Sequence, residues 1–168
     1  NYNISNLRQN FLMNGYAIFT PCSHLPTDSI SNFLDDMCGN DFTTNKCFNR
    51  IVKSNQSSVV KVAKNKEIMR VIHHLYQRLP FPFQTLNFKW GTQQQLHSDL
   101  IHFAGFPSMQ MAAAWVALED VHDDAGPLQF LIGSHKLPFY NMDALNCPLG
   151  AYRSCYENAI KSKISGFE

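Results

Sequence analysis

The sequence predicts an α+β domain, or a β-dominated one with helical support, with helices first and strands after. Up to about residue 80 the apolar residues recur at three- and four-residue spacing; beyond Pro82 they alternate or run continuously. No G-x-G-x-x-G, P-loop or G-x-S-x-G turn interrupts the chain, and helices do not alternate with strands as βαβ units require.

Leu7, Phe11 and Leu12 share a helical face, and Gly15 is placed to cap that helix before a short strand over 16–19. Thr27 or Asp28 caps a second helix with Ile30, Phe33, Leu34 and Met37 on its apolar side, ended by Gly39. Residues 40–58 are polar and carry no clear period. A third helix is predicted over 65–78, with Ile68, Val71, Ile72 and Leu75 inward, stopping before Pro80 and Pro82. His73 and His74 on this helix read as structural.

From Phe83 to Trp90 the residues alternate as a strand does, and 109–121 (MQMAAAWVALEDV) reads as a strand buried on both faces. The turn HDDAGPL then returns the chain into QFLIGSHKLP. Residues 139–168 read as a helix or linker.

At 168 residues the chain is expected to form a single domain over 1–168. A formal charge of +1, without a dense Lys/Arg cluster, argues against a nucleic-acid partner. The five cysteines form no C-x-x-C pair, which gives little support to a disulfide framework or a Cys-rich zinc knuckle and fits a reducing, cytoplasmic setting. No apolar run approaches the roughly 20 residues that span a bilayer, so no membrane partner is expected.

The charges are sparse, which draws attention to His97 and Asp99 in QQLHSDLIHF. On a strand, side chains two apart share a face with Cα atoms roughly 6.5–7 Å apart, so an imidazole and a carboxylate can converge on one ion. Completed by a second histidine, such a pair forms the facial triad of non-heme Fe(II) oxygenases; a surface loop with two polar residues gives the same pattern. Trp115 shares its strand face with Ala113 and Ala117, which leaves room for a cavity beside the ring or for ordinary core packing. His102, five after His97, reads as a surface residue or one behind the site, and the amides of Gln93, Gln94 and Gln95 as a solvated loop. His135 is a further possible ligand, with a structural role favoured.

PFQTLNF, HSD, WVALED, GPL and GSHKLP occur in that order over residues 51–138. This order resembles the phytanoyl-CoA dioxygenase family of Fe(II)/2-oxoglutarate oxygenases, most of all bacterial members whose own substrates are uncharacterised. The resemblance implies a double-stranded β-helix, a cupin-like jelly roll supported by helices over 1–80, with the first core strands over 81–138. It implies His97 and Asp99 as iron ligands, Trp115 beside the 2-oxoglutarate pocket, and a small-molecule substrate hydroxylated with O₂ while 2-oxoglutarate yields succinate and CO₂. Related halogenases carry a small residue where Asp99 stands, so the carboxylate points to hydroxylation.

The family draws its second iron-binding histidine and its 2-oxoglutarate-pairing arginine from strands well downstream of H-x-D. The chain reaches Glu168 before that region, so the closing strands are expected to belong to a longer protein. The alternatives are a non-catalytic jelly-roll binding or structural protein with an incomplete metal site, and a cupin of other chemistry that uses His135.

Overall fold

The computed structural model describes residues 2–38, 46–50, 58–88, 97–99, 110–138, 145–148 and 150–164. Two compact units emerge, one made of Asn1–Gln93 with Ala112–His135, the other of Gln94–Met111 with Lys136–Glu168. Among the described residues the α-helices are α1 (Ile4–Asn14), α2 (Thr27–Cys38), α3 (Ser58–Ala63), α4 (Lys66–Tyr76) and α5 (Tyr152–Ile164). Strands β1 (Lys46–Arg50) and β2 (Gln84–Phe88) pair antiparallel, with Lys46 opposite Phe88 and Arg50 opposite Gln84.

Helix α1 starts at Asn3, whose side chain accepts the Ser5 and Asn6 amides, and stops at Gly15 in the left-handed region (φ 89°). The Gly15 amide closes the helix on the Phe11 carbonyl at 2.8 Å. Tyr16 to Phe19 form no strand; their rings pack instead, Tyr16 edge-on to Phe130 and Phe19 against Tyr2. Apolar character alone had suggested the strand, but a strand needs a ladder partner and the rings find aromatic ones.

Helix α2 already includes Thr27 and Asp28, which the sequence offered as caps, with the Ile30 amide bonded to the Pro26 carbonyl. Asp28 lies in the first turn, where a carboxylate suits the helix dipole, and Gly39 lies outside the described residues. Helix α3 was not anticipated. Its valines are weak helix formers, yet Val59, Val60 and Val62 are all buried, so packing outweighs propensity. Ile30, Val59, Val62 and Ile68 form the core of the first unit, with Phe19, Leu25, Ile72, Val116 and Leu118 packed on it. Helix α4 ends two residues before the predicted limit. Gln77 turns left-handed (φ 55°) and donates from Nε2 to the His74 carbonyl, while His73 Nδ1 donates to the Arg78 carbonyl.

Around α4 lies a polar junction. Asn65 caps the helix by accepting the Glu67 and Ile68 amides, and its own Nδ2 donates to Ser23 Oγ. The Glu67 carboxylate accepts four bonds: Tyr2 OH and the Cys22 amide at 2.9 Å, and the Ser23 amide and hydroxyl at 3.2 Å. Arg70 donates to the Tyr2 hydroxyl, which thereby relays a positive charge to the acid.

Strand β2 appears where the alternation placed it, but 110–121 is not a strand among the described residues. Its period of two survives on one side only: Val116 and Leu118 pack on the core, whereas Trp115 and Ala117 are exposed. The expectation of burial on both faces is thus corrected, because core atoms cover only one of them. In the second unit, Cys147 and Cys155 form a disulfide, although cysteine spacing gave little support to disulfides. A left-handed Asn146 (φ 49°) and the turn in which the Ala151 amide reaches the Pro148 carbonyl bring Cys147 back beside the first turn of α5. Such proximity is set by backbone turns and is invisible to a count of cysteines.

Two predictions follow from these contacts. Gly15→Ala forces an L-residue into positive φ and sets a Cβ 2.5 Å from His135 Nδ1, so it should lower stability by about 1–2 kcal/mol, read from the urea midpoint. For Glu67, partial desolvation raises the pKa, but the bonds from Tyr2, Ser23 and Cys22 together outweigh it and lower the value below 4.5. A folded pKa depressed in this way adds stability that is full above the unfolded value and vanishes as pH falls through the folded one. Thermal melts from pH 7 to 2 should therefore show Glu67→Gln destabilised at neutral pH and converging with the wild type under acid.

Candidate metal centre

His97 and Asp99 belong to the second unit. Residues 97 and 98 are irregular and Asp99 lies in a 3-10 turn, so the strand that the H-x-D spacing suggested is not what aligns them. The side chains converge nonetheless, with His97 Nε2 3.3 Å from Asp99 Oδ1. The imidazole is three-quarters covered (26% exposed) and the carboxylate half exposed (50%), an arrangement with one partly covered and one accessible donor.

The donor chemistry suits a borderline divalent ion: an imidazole nitrogen and a carboxylate oxygen are two of the three ligand types in the facial triad. Two cis donors about 2.1 Å from one octahedral ion stand about 3 Å apart, close to the separation observed. In donor type and spacing the pair is compatible with two adjacent positions on such an ion. No cluster of three or more His, Cys, Asp or Glu side chains occurs among the described residues.

A second histidine and carboxylate, His122 and Asp124, repeat the spacing in the turn Asp123–Ala125 and come within 3.4 Å. Sequence reading treated them only as part of a turn, and the geometry agrees. His122 Nδ1 accepts the Asp124 amide as a cap, and the side chains are 80% and 95% exposed. Spacing alone thus produces close approach; burial of the imidazole distinguishes His97.

Trp115 belongs to the first unit, on the outer side of the 110–121 segment, and is 54% exposed. His135 is held at the end of α1. Its Nε2 donates to the Leu12 carbonyl at 3.1 Å, and its ring lies over Gly15, with Nδ1 buried and without a hydrogen-bond partner. The neighbouring Gly133 amide donates to the Asn14 carbonyl. GSHK accordingly satisfies carbonyls that the helix terminus leaves open, which supports the structural reading of His135. His102 and Gln93, Gln94 and Gln95 lie outside the described residues.

The family profile described as phytanoyl-CoA dioxygenase matches residues 27–150. The chain belongs to the phytanoyl-CoA dioxygenase family. The matched span includes α2 to α4, the sheet and H-x-D, and extends the motif-based resemblance at both ends; α1 and α5 lie beyond it. No curated protein and no solved structure matches the chain significantly. Membership implies a cupin-like fold and oxygenase chemistry; the described residues themselves are helix-rich with one two-stranded sheet. Among them no helix is long and apolar enough to cross a membrane.

His135→Ala should release the GSHK turn from α1 and cost about 1–2 kcal/mol through one lost hydrogen bond and a void over Gly15. The metal content of the purified protein, measured by mass spectrometry, should not change.

Proposed function

We propose that the chain contributes to an Fe(II)- and 2-oxoglutarate-dependent dioxygenase that hydroxylates a small organic substrate, with succinate and CO₂ as co-products. The convergence of His97 Nε2 and Asp99 Oδ1, in a chain of the phytanoyl-CoA dioxygenase family, carries this reading. His97 would supply a neutral nitrogen ligand and Asp99 an anionic oxygen. When bound, iron and 2-oxoglutarate together supply the activation of O₂ for insertion into a C–H bond.

The residues perform separate tasks in this scheme. Partial burial of His97 restricts its ring and limits competing water, while the accessible Asp99 stays open toward an incoming molecule. With iron bound, its carboxylate would fill the coordination position that a halide would need. The family resemblance also offers Trp115, flanked by Ala113 and Ala117, as a residue for contact with 2-oxoglutarate. The third protein ligand and the arginine that pairs with 2-oxoglutarate are not assigned to residues of this chain. The surrounding architecture in this proposal is the jelly roll, a single domain over 1–168 with its helical support at 1–80, acting on a diffusible substrate.

The test is anaerobic titration with Fe(II), with and without 2-oxoglutarate. The wild type should develop the weak visible absorption of the chelate and release succinate on exposure to air. Asp99→Ala should lose both, with activity falling more than about 100-fold, while its unfolding midpoint stays within about 0.5 kcal/mol of the wild type because the side chain is half exposed. Unchanged absorption and turnover in that variant would refute the ligand role. A wild type without either signal would leave a non-catalytic jelly-roll binding protein.

A further inference from the structure

The start of α5 is held differently from the starts of α1 and α4. Those two helices are capped by Asn3 and Asn65, whose side chains accept the first free amides. Before α5 stands Ala151, which has no side-chain acceptor, and the first turn carries no acidic residue to suit the dipole. The Ser154 hydroxyl and the Cys155 amide both donate to the Ala151 carbonyl. At this end of the helix stands the covalent link from Cys147 to Cys155, with Cα atoms 6.2 Å apart.

Two left-handed residues, Asn146 (φ 49°) and Gly150 (φ 89°), lie on either side of Cys147 and turn it back toward the helix. Asparagine keeps such a conformation where its surroundings fix it, and a covalent bond at the next residue does so. Cys147 and Cys155 are both partly exposed, which gives a small thiol access to the bond. Cys155 lies in the first turn of α5, where amides outside the helical ladder favour a thiolate over a thiol. A thiolate favoured in this way is the better leaving group when the disulfide is attacked.

We propose that Cys147 and Cys155 form a reversible thiol–disulfide site that exchanges with a small thiol of the glutathione class and thereby fastens or frees the start of α5. To open it, a glutathione thiolate attacks Cys147 Sγ; the bond between the two cysteines breaks and its electron pair leaves on Cys155 as a thiolate. A second glutathione thiolate then attacks the glutathione sulfur of the mixed disulfide, releasing glutathione disulfide and the Cys147 thiolate. The two protons that the glutathiones lose pass to the two cysteines, so two electrons and two protons enter the protein while two thiols become one disulfide. Closing is the reverse. Both cysteines belong to the unit that carries His97 and Asp99, but the inference does not rest on the oxygenase reading.

The experiment equilibrates the 168-residue chain with glutathione and glutathione disulfide at graded ratios, blocks free thiols by alkylation and maps the peptides by mass spectrometry. Cys147 and Cys155 should be joined in excess glutathione disulfide and unjoined in excess glutathione, and samples quenched early in the opening should carry the adduct on Cys147. Hydrogen exchange read in parallel should show the first two turns of α5 exchanging about tenfold faster or more in the reduced chain, with α4 unchanged. Cys147→Ser should exchange at the reduced rate under both conditions. A pair that stays unjoined in excess glutathione disulfide, a link that survives excess glutathione, an early adduct on Cys155, or equal α5 exchange in the two states would overturn the proposal. Should Cys147→Ser fail to fold, the wild-type chain in its two redox states still decides.

Discussion

The Glu67 carboxylate is where three stretches of the first unit meet: the N-terminal segment through Tyr2, the loop at Cys22 and Ser23, and α4, which carries the acid. Removing water from a carboxylate is unfavourable, and only a full set of donors offsets it. Four donors are present, and Asn65 adds a second link by capping α4 and bonding Ser23. Because the donors come from distant positions, the acid constrains how α1 lies against α4. The α1 terminus that receives His135 inherits that alignment.

His135 and His97 illustrate how environment assigns roles to one residue type. His135 is fixed by a backbone carbonyl and a glycine that leaves room for its ring. His97 faces a carboxylate while retaining enough cover to limit solvent. His122 has a carboxylate, Asp124, at the same spacing as His97 has Asp99, but it lies in solvent, where its Nδ1 accepts the Asp124 amide. Family membership and covered geometry together select His97 and Asp99 for the oxygenase proposal; neither would do so alone.

Helix termini were largely legible because their signals are local. Gly15 closes α1 and Asn65 starts α4, each through bonds within a few residues, and α2 opens at Thr27. Less of the rest could be read. Helix α3 contains valines whose intrinsic preference points elsewhere, and β1 lies in a polar stretch whose pairing with β2 depends on residues almost forty positions away. The segment 110–121 kept its alternation yet has no ladder among the described residues, since alternation specifies which faces differ and not what covers them.

For the candidate centre, the sequence by itself supplied the candidate donor types and the family, because a histidine and an aspartate two apart, in order with the surrounding motifs, are properties of the chain. Tertiary structure decided how His97 and Asp99 approach, through irregular backbone and a turn in place of a strand. It also decided that Tyr2 and Glu67, sixty-five residues apart, share a hydrogen bond. The physical reason is range: capping and periodicity act over one or two turns, whereas burial and charge pairing depend on neighbours that only folding brings close.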